Sequence, residues 1–370
     1  MSRKTTSPIA RWATYITAVA IISAAVATIA NFKLRYGGTP EFDPGSCSIM
    51  VRDAHSLNPD GKRLVFQVVR ETPDGTTSEV RWLDLDSRES GSVPMPDADS
   101  LYSSPGWASG SDTILLVSSH KTTRVTDPSI RAYDTEAGRT ETLRSSRESY
   151  ALGWFAPSGN EKIVFSQIDI GSGRPGGDLW VMDTSGRNAR QITQFGDVKP
   201  DAIAISAKGN RVVFVRERGG NPSAAELWIA DCEGHNAHRV KQGPWYDRPG
   251  IFSRDGTHMM WFDRFANGID ILDLGTGEHC RVARGHTAKE AVWSADGTKI
   301  AYVTLEDDLY TVPVDGSSTP RLLAKMFGSA NPVAWSHRDG LLILVRNNAT
   351  IWTVTPDGDF LRQIFPRALP

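Results

Sequence analysis

WSADGTKIAYVTLEDDLYTVPVDG, residues 293–316, holds the two devices that decide the architecture. Trp293-Ser-Ala-Asp-Gly297 is an aromatic residue and a tight polar turn, and an apolar strand follows from Lys299. Asp308-Leu-Tyr-Thr-Val-Pro-Val-Asp-Gly316 is a second strand that ends in another polar turn. Asp-Gly between apolar flanks signals a hairpin, because glycine takes the positive φ that matches strand twist. The first device recurs at Leu57-Asn-Pro-Asp-Gly61, Trp107-Ala-Ser-Gly110, Phe155-Ala-Pro-Ser-Gly159, Ile205-Ser-Ala-Lys-Gly209, Phe252-Ser-Arg-Asp-Gly256 and Trp335-Ser-His-Arg-Asp-Gly340. The second recurs at Asp178-Leu-Trp-Val-Met-Asp-Thr-Ser-Gly186 and Glu226-Leu-Trp-Ile-Ala-Asp-Cys-Glu-Gly234, among others. Its turn glycines are assigned to Gly91, Gly138, Gly186, Gly234, Gly277, Gly316 and Gly358, with spacings of 47, 48, 48, 43, 39 and 42.

Four strands in every 40 to 50 residues, seven times over, is the arithmetic of a seven-bladed β-propeller of four-stranded blades over residues 42–370. Helical repeats need a 3.6-residue period that is absent here. The S-x-D-G and Φ-W-Φ-Φ-D-x-x-G pair resembles the TolB-type propeller repeat, also called the WD40-like or PD40 repeat. Prolyl-oligopeptidase propellers use similar blades. The resemblance covers roughly residues 42–366 and implies a propeller that binds something outside the cytoplasm. Only the propeller is matched: the roughly ten residues between the apolar run at 12–32 and the first blade leave no room for TolB's N-terminal α/β domain, and the α/β-hydrolase domain of the peptidases has no counterpart.

Composition bounds the rest. The 370 residues carry 41 Lys+Arg against 43 Asp+Glu, a net charge of −2, so no electrostatic case for nucleic acid exists. With 39% hydrophobic and 23% charged residues, wholesale disorder and a polytopic membrane protein are both ruled out. Three cysteines do not make a disulfide framework. Residues 12–32 are 21 residues without a charge, long enough at ~1.5 Å per residue to cross a bilayer core of roughly 30 Å. Arg3, Lys4 and Arg11 precede the run, and Lys33 and Arg35 follow it. The expectation is a cytoplasmic tail (1–11), a single transmembrane signal-anchor helix (12–32), a linker (33–41) and a propeller outside a bacterial cytoplasmic membrane. Secretion after cleavage at Ala25-Val26-Ala27 is the alternative, though the run exceeds the ~7–15 residues of a signal h-region.

Chemistry is sparse in the repeats. The in-phase rings Trp180, Trp228, Tyr310 and Trp352 read as packing between blades rather than a ligand platform. Asp86, Asp134, Asp183, Asp231 and Asp273 read as turn acids bonding nearby backbone N–H groups. Gly171-Ser-Gly173-Arg-Pro-Gly176 fits G-x-G-x-x-G, but a strand follows it where a dinucleotide site needs a helix. His235 and His238 near Cys232 lack a fourth ligand and a helix to fix their geometry, so no metal or cofactor is expected.

The loops joining second and third strands are long in blades one to four (70–78, 118–129, 167–177, 216–225) and short in the last three (263–268, 306–308, 346–349). Binding surfaces gather on long loops over rigid scaffolds. The same face carries the residues that open the innermost strands around the channel mouth. Asp53, Ser103, Asp201, Arg248, Lys289 and Asn331, with Tyr102, Tyr150, Asp247 and Glu290, form the candidate binding set for a peptide or polar ligand. Two functions remain: a non-catalytic, monomeric binding module for a protein or peptide of the cell envelope, or a lyase or hydrolase acting on a glycan or peptide at the mouth. His55, near Asp53, is the one histidine placed to join a catalytic constellation there.

The anchor orientation predicts that a tag fused after Pro370 resists protease in intact cells and is cleaved once the outer barrier is opened. Labelling of Cys280 only from the cytoplasmic side would contradict it.

Overall fold

The computed structural model describes residues 47–51, 56–58, 60–72, 75–96, 100–108, 112–120, 128–145, 156–157, 162–168, 176–206, 210–221, 224–242, 250–262, 267–325, 330–359 and 361–365. The run at 12–32 lies outside them. Among the described residues no helix is long and apolar enough to cross a membrane. Among the described residues twenty-eight strands form seven four-stranded sheets, each of four consecutive antiparallel strands. The blades span 47–92, 100–145, 156–191, 198–242, 251–282, 288–325 and 330–365.

Burial rises and falls across each blade in a way that explains the sequence pattern. A second strand has neighbours on both edges and both faces. It therefore reads as an unbroken apolar run, as in β10 (Lys162–Gln167) and β22 (Lys299–Thr304). Third strands leave about every third position half-buried, and outermost strands such as β24 (Arg321–Lys325) are open, with charged residues at both ends. The Ser-x-Asp-Gly turns are built by side chains: the Ser294 hydroxyl donates to Asp296 at 2.6 Å and accepts from the Lys299 N–H at 2.9 Å. Ser253 and Asp255 repeat the same device in the previous blade.

The apolar clusters straddle seams between blades. Val164 and Leu179 of the third blade join Ile203, Val212 and Phe214 of the fourth. Met260 and Ile271 of the fifth join Trp293, Ile300 and Tyr302 of the sixth. The in-phase rings sit at these seams as expected: Trp180 packs against the second-to-third cluster, Trp228 against the third-to-fourth and Trp352 against the sixth-to-seventh. Arg144 of the second blade lies 5.4 Å from the Trp180 ring centroid. Trp293 is buried and its indole N–H reaches the Ile251 carbonyl of the neighbouring blade at 2.9 Å.

The first blade departs from the expected phase. Its turn acid is Asp84, at the end of β3 (Gly75–Asp84), whose carboxylate accepts from the Asp86 and Ser87 N–H groups. Asp86 instead pairs with Arg338. Arg88, at φ 62°, occupies the turn position that glycine fills elsewhere. Gly91 lies inside β4 (Ser90–Ser92), where a Cβ would come within 2.5 Å of the Trp82 ring. That glycine serves a close approach, not a turn, and the first blade's turn position at Arg88 lies 50 residues before Gly138 (138 − 88).

No strand is shared between the first and last blades among the described residues. They meet through side chains and one backbone bond. Phe66 and Phe365 pack edge to face at 5.1 Å, Arg338 pairs with Asp86, and the Ile49 N–H donates to the Asn348 carbonyl at 2.5 Å. The last blade's turn, Trp335 to Gly340, is one residue longer than Trp293 to Gly297. The extra length brings His337 and Arg338 against Gly61 of the first blade.

Trp293→Ala removes a buried ring and its bond to Ile251, and the loss expected is ~3–5 kcal/mol. Urea melts of the variant and the parent measure it, and coincident curves would contradict the seam role given to this ring.

Candidate functional site

Loops between second and third strands share a face with the inter-blade connections, and the described residues there are raised on one side. In the first blade the segment 70–78 is not a loop. β2 (Arg63–Thr72) and β3 pair all the way out to Thr72 with Gly75, four pairs beyond Val68 with Glu79. At ~3.4 Å per residue the hairpin stands roughly 13 Å proud of the shorter blades. Arg70 and Glu79 pair across it at 3.0 Å. Ser78 fixes it to the next blade by donating to the Tyr102 carbonyl at 2.6 Å and accepting from the Tyr102 N–H at 3.1 Å.

The third-to-fourth seam carries an ionic network on the same face. Asp197, just before β13 (Val198–Ile205), takes both bonds of the Arg216 guanidinium at 2.7 and 3.0 Å. That guanidinium lies 3.7 Å over the Phe195 ring and 5.0 Å from Trp228. Glu226, at 2% exposure, accepts from the Trp228 indole at 2.9 Å and from Arg239 at 3.1 Å, with Arg218 at 3.7 Å. Burial pushes the Glu226 carboxyl up, but the indole bond and the three arginines outweigh it and hold the group below its ordinary value. Arg218 remains 63% exposed beside this ordered base. Beneath it Asp178 accepts from Thr193 and from the Phe195 and Gly196 N–H groups. Gly177 and Val198 exchange two backbone bonds at 3.0 and 3.1 Å. The last glycine of the G-x-G-x-x-G run, Gly176, belongs to this bridge between blades, where a Cβ would meet the Val198 carbonyl at 2.8 Å.

The ten mouth candidates fare unequally. Asp53, Tyr150, Asp247 and Arg248 lie outside the described residues, as do the side chain of Asp201 and His55. Tyr102 is a correction: it is 1% exposed, its ring belongs to the first-to-second core cluster, and its hydroxyl donates to the Pro94 carbonyl at 3.0 Å. Ser103 follows it on β5 (Ser100–Trp107), half-buried and paired with Val117 just before a bulge. Lys289 is itself the bulged residue of β21 (Ala288–Trp293), and its ammonium pairs with Asp307 in the turn between β22 and β23 (Asp308–Pro313). Glu290 on the same strand and Asn331 on the neighbouring β25 (Ala330–Trp335) are half-buried. The structure therefore places Lys289, Glu290 and Asn331 on adjacent inner strands, and Ser103 and Asp201 on inner strands of two other blades.

Sequence reasoning did not single out Glu226, Arg216 and Asp197. Glu226 and Asp178 both open an x-Leu-Trp strand, so a polar residue two places before an inter-blade tryptophan was the available signal. Cys232 is buried, and burial pushes its thiol up to about 12; His238 bonds the Asn236 carbonyl. Among the described residues no cluster of His, Cys, Asp and Glu is arranged to hold a metal.

No family model matches the chain, and no curated protein matches it in sequence. Solved structures do. Oligogalacturonate lyase in complex with manganese superposes with a TM-score of 0.59 at 14% identity, over 85% of this chain and 88% of that one. The propeller domain of the Trilobed protease from Pyrococcus furiosus, described as an open velcro topology, gives 0.57 at 11% over 87% and 100%. TolB from Acinetobacter baumannii gives 0.47 at 17% over 81% and 79%. At these identities the likeness concerns the fold: the chain is a seven-bladed propeller of four-stranded blades.

Several turn acids share one electrostatic character. The Ser185 hydroxyl holds Asp183 below the ordinary carboxylate range, aided by the Arg187 and Ser185 N–H groups and by Asn188. The Thr276 and Gly275 N–H groups do so for Asp273, and the Ser294 hydroxyl leads for Asp296. Depressed folded values mean that stability is fully present above the unfolded value of ~3.9 and is lost as pH falls through the folded values. The melting temperature is expected to hold from neutrality to about pH 5 and to fall steeply below about pH 4. Asp183→Asn should lower it at neutrality and flatten the acid limb. A melting temperature that stays level into strong acid contradicts this assignment.

Proposed function

We propose that the chain is a membrane-tethered, extracytoplasmic propeller that binds a protein, peptide or polar ligand of the cell envelope through its loop face, without catalysing a reaction. The supporting observation is that this face carries both the projecting β2–β3 hairpin and the prebuilt Asp197–Arg216–Glu226 network. A ligand laid across the mouth meets a wall on one side and an ordered charged floor on another. Directed polar contacts there exchange for hydration, and removing one charge leaves its opposite group unpaired at a cost of ~2–5 kcal/mol when buried by binding. Arg248 and Asp201 are assigned to the mouth by their places in the repeat, and Arg218 by its exposure above Glu226. The anchor at 12–32 would set the propeller at the membrane surface.

The second reading is a propeller lyase or hydrolase acting on a glycan or peptide at the mouth. It draws on the superposition of the oligogalacturonate lyase over most of the chain. Fold does not carry activity across such distances.

Photocrosslinking of the full chain in its native membrane distinguishes the two. Arg248→Ala, Asp201→Ala and Arg218→Ala should each lower capture of the crosslinked partner at least ~tenfold while melting stays near that of the parent. Lys62→Ala and Lys299→Ala, on exposed residues beside the turns of the opposite face, should leave capture intact. The reverse pattern would move the site to that face. Turnover of oligogalacturonate or of a peptide mixture, lost in the Arg248 and Asp201 variants, would replace the binding reading with the enzymatic one.

A further inference from the structure

The outermost strand of the fourth blade, β16 (His238–Gln242), runs out of step with β15 (Ala225–Asp231). Leu227 pairs with Lys241 and Trp228 with Arg239, so Val240 is the extra residue of a bulge. Regular alternation would put residues 239 and 241 on one side of the sheet. The bulge sends them to opposite sides. Lys241 pairs with Asp270 toward the fifth blade, while Arg239 stands opposite Trp228 at the third-to-fourth seam and pairs with Glu226. At the matching place the other blades carry Ser92, Thr142, Gln191, Arg281, Leu322 and Gln363. Arg281 is the one cation among them, and Asp270 directly across takes two of its bonds, at 2.7 and 2.8 Å.

Arg239 is matched less completely. A single nitrogen, Nη1, serves both its acceptors, Glu226 Oε1 and Gln242 Oε1, each at 3.1 Å. Arg218 reaches the same Glu226 oxygen from the turn at 218–220, with Nη1 at 3.7 Å, too far for a hydrogen bond. The third guanidinium, Arg216, is taken up by Asp197. Among the described residues Asp197 and Glu226 are the carboxylates paired with these arginines, so three positive charges meet two negative ones. The remaining charged groups of the neighbourhood are engaged elsewhere. Asp178 accepts from Thr193 and from the Phe195 and Gly196 N–H groups, and Lys199 pairs with Glu217 at 3.7 Å. The surplus charge belongs to the open side of the cluster: the Arg218 and Arg239 side chains are 63% and 48% exposed, against 14% for Arg216. Glu226, at 2%, draws both guanidiniums together from below and leaves most of their donors to water.

We propose that Arg218 and Arg239 form a carboxylate-binding site that anchors a single acidic side chain of a peptide on the loop face, an inference that rests on the loop-face reading above. Guanidinium forks hold carboxylates through parallel bonds, as Arg216 holds Asp197 in the same seam. One carboxylate cancels the one surplus charge. A phosphate dianion would overfill the site beside the buried Glu226. Other cations of this face already have acids: Lys199 has Glu217, Lys289 has Asp307 and Arg70 has Glu79. A polyanion would therefore find one receptive point and several opposing carboxylates, whereas a peptide with one acidic residue meets only the receptive point.

Phenylglyoxal labelling of the full chain, resolved residue by residue with mass spectrometry, reports whether these guanidiniums are occupied. Arg321, 62% exposed on the sixth blade, is the internal control. The probe is the blocked peptide acetyl-Val-Glu-Val-amide. At saturation it should slow labelling of Arg218 and Arg239 about fivefold or more, by mass action, and leave Arg321 unchanged. Arg239→Gln should raise the concentration that protects Arg218 about tenfold, as expected for loss of a charge-assisted bond, and Arg218→Gln should do the same for Arg239. Unchanged labelling of the parent chain overturns the proposal, however the variants behave. So does equal protection by acetyl-Val-Gln-Val-amide, which would remove the charge requirement. Equal protection by inorganic phosphate or by a polyuronate also overturns it, in favour of a general anion site or a glycan site. If labelling is unchanged while Arg248→Ala and Asp201→Ala still lose partner capture, this anchor falls and the loop-face reading stands. If those two variants keep capture as well, both fall.

Discussion

Burial of each blade's face by its neighbour is the constraint from which the rest of the molecule follows. A four-stranded sheet with both faces apolar cannot stand alone in water, and the second strands here are buried through their middles. Clusters such as Leu115, Val117 and Ile130 with Phe165 and Met182, or Val303 and Leu309 with Leu342 and Leu344, join two successive blades. Seven such faces close only as a ring. The last seam carries the same requirement without a shared strand, and the longer turn at 335–340 meets it by reaching the first blade with His337 and Arg338.

That packing leaves chemistry to the two ends and the rim. Inner strands contribute the channel mouth, and their bulges at Lys289, and between Ser103 and Gly106, re-aim individual side chains. The raised hairpin arises where the first blade's strands run on past the rest, and the Arg216 network where the fourth blade's inner strands meet the connection from the third. Function on this scaffold is a matter of what the packing does not use.

Most of the architecture was legible because the same physical requirement is written seven times. The blade count, the turn acids from Asp134 onward and the seam positions of Trp180, Trp228 and Trp352 follow from period and residue type. The first blade misled because Asp86 and Gly91 mimic the repeat two and three residues late, while Asp84 and Arg88 hold the real turn. Tyr102 misled because its strand starts early, alongside the extended hairpin, which buries a ring that would otherwise line the mouth. The Glu226 network needed partners from three segments, Asp197, Arg216 and Arg239, whose meeting no local spacing announces.

Native-state hydrogen exchange of the full chain tests most directly whether mutual burial welds all seven blades into one unit. The account predicts that the second strands of every blade, from β2 and β10 to β22, share one protection level and exchange together in a single cooperative event, the first and last blades included. Separate exchange of the first or last blade, well before the others, would contradict it.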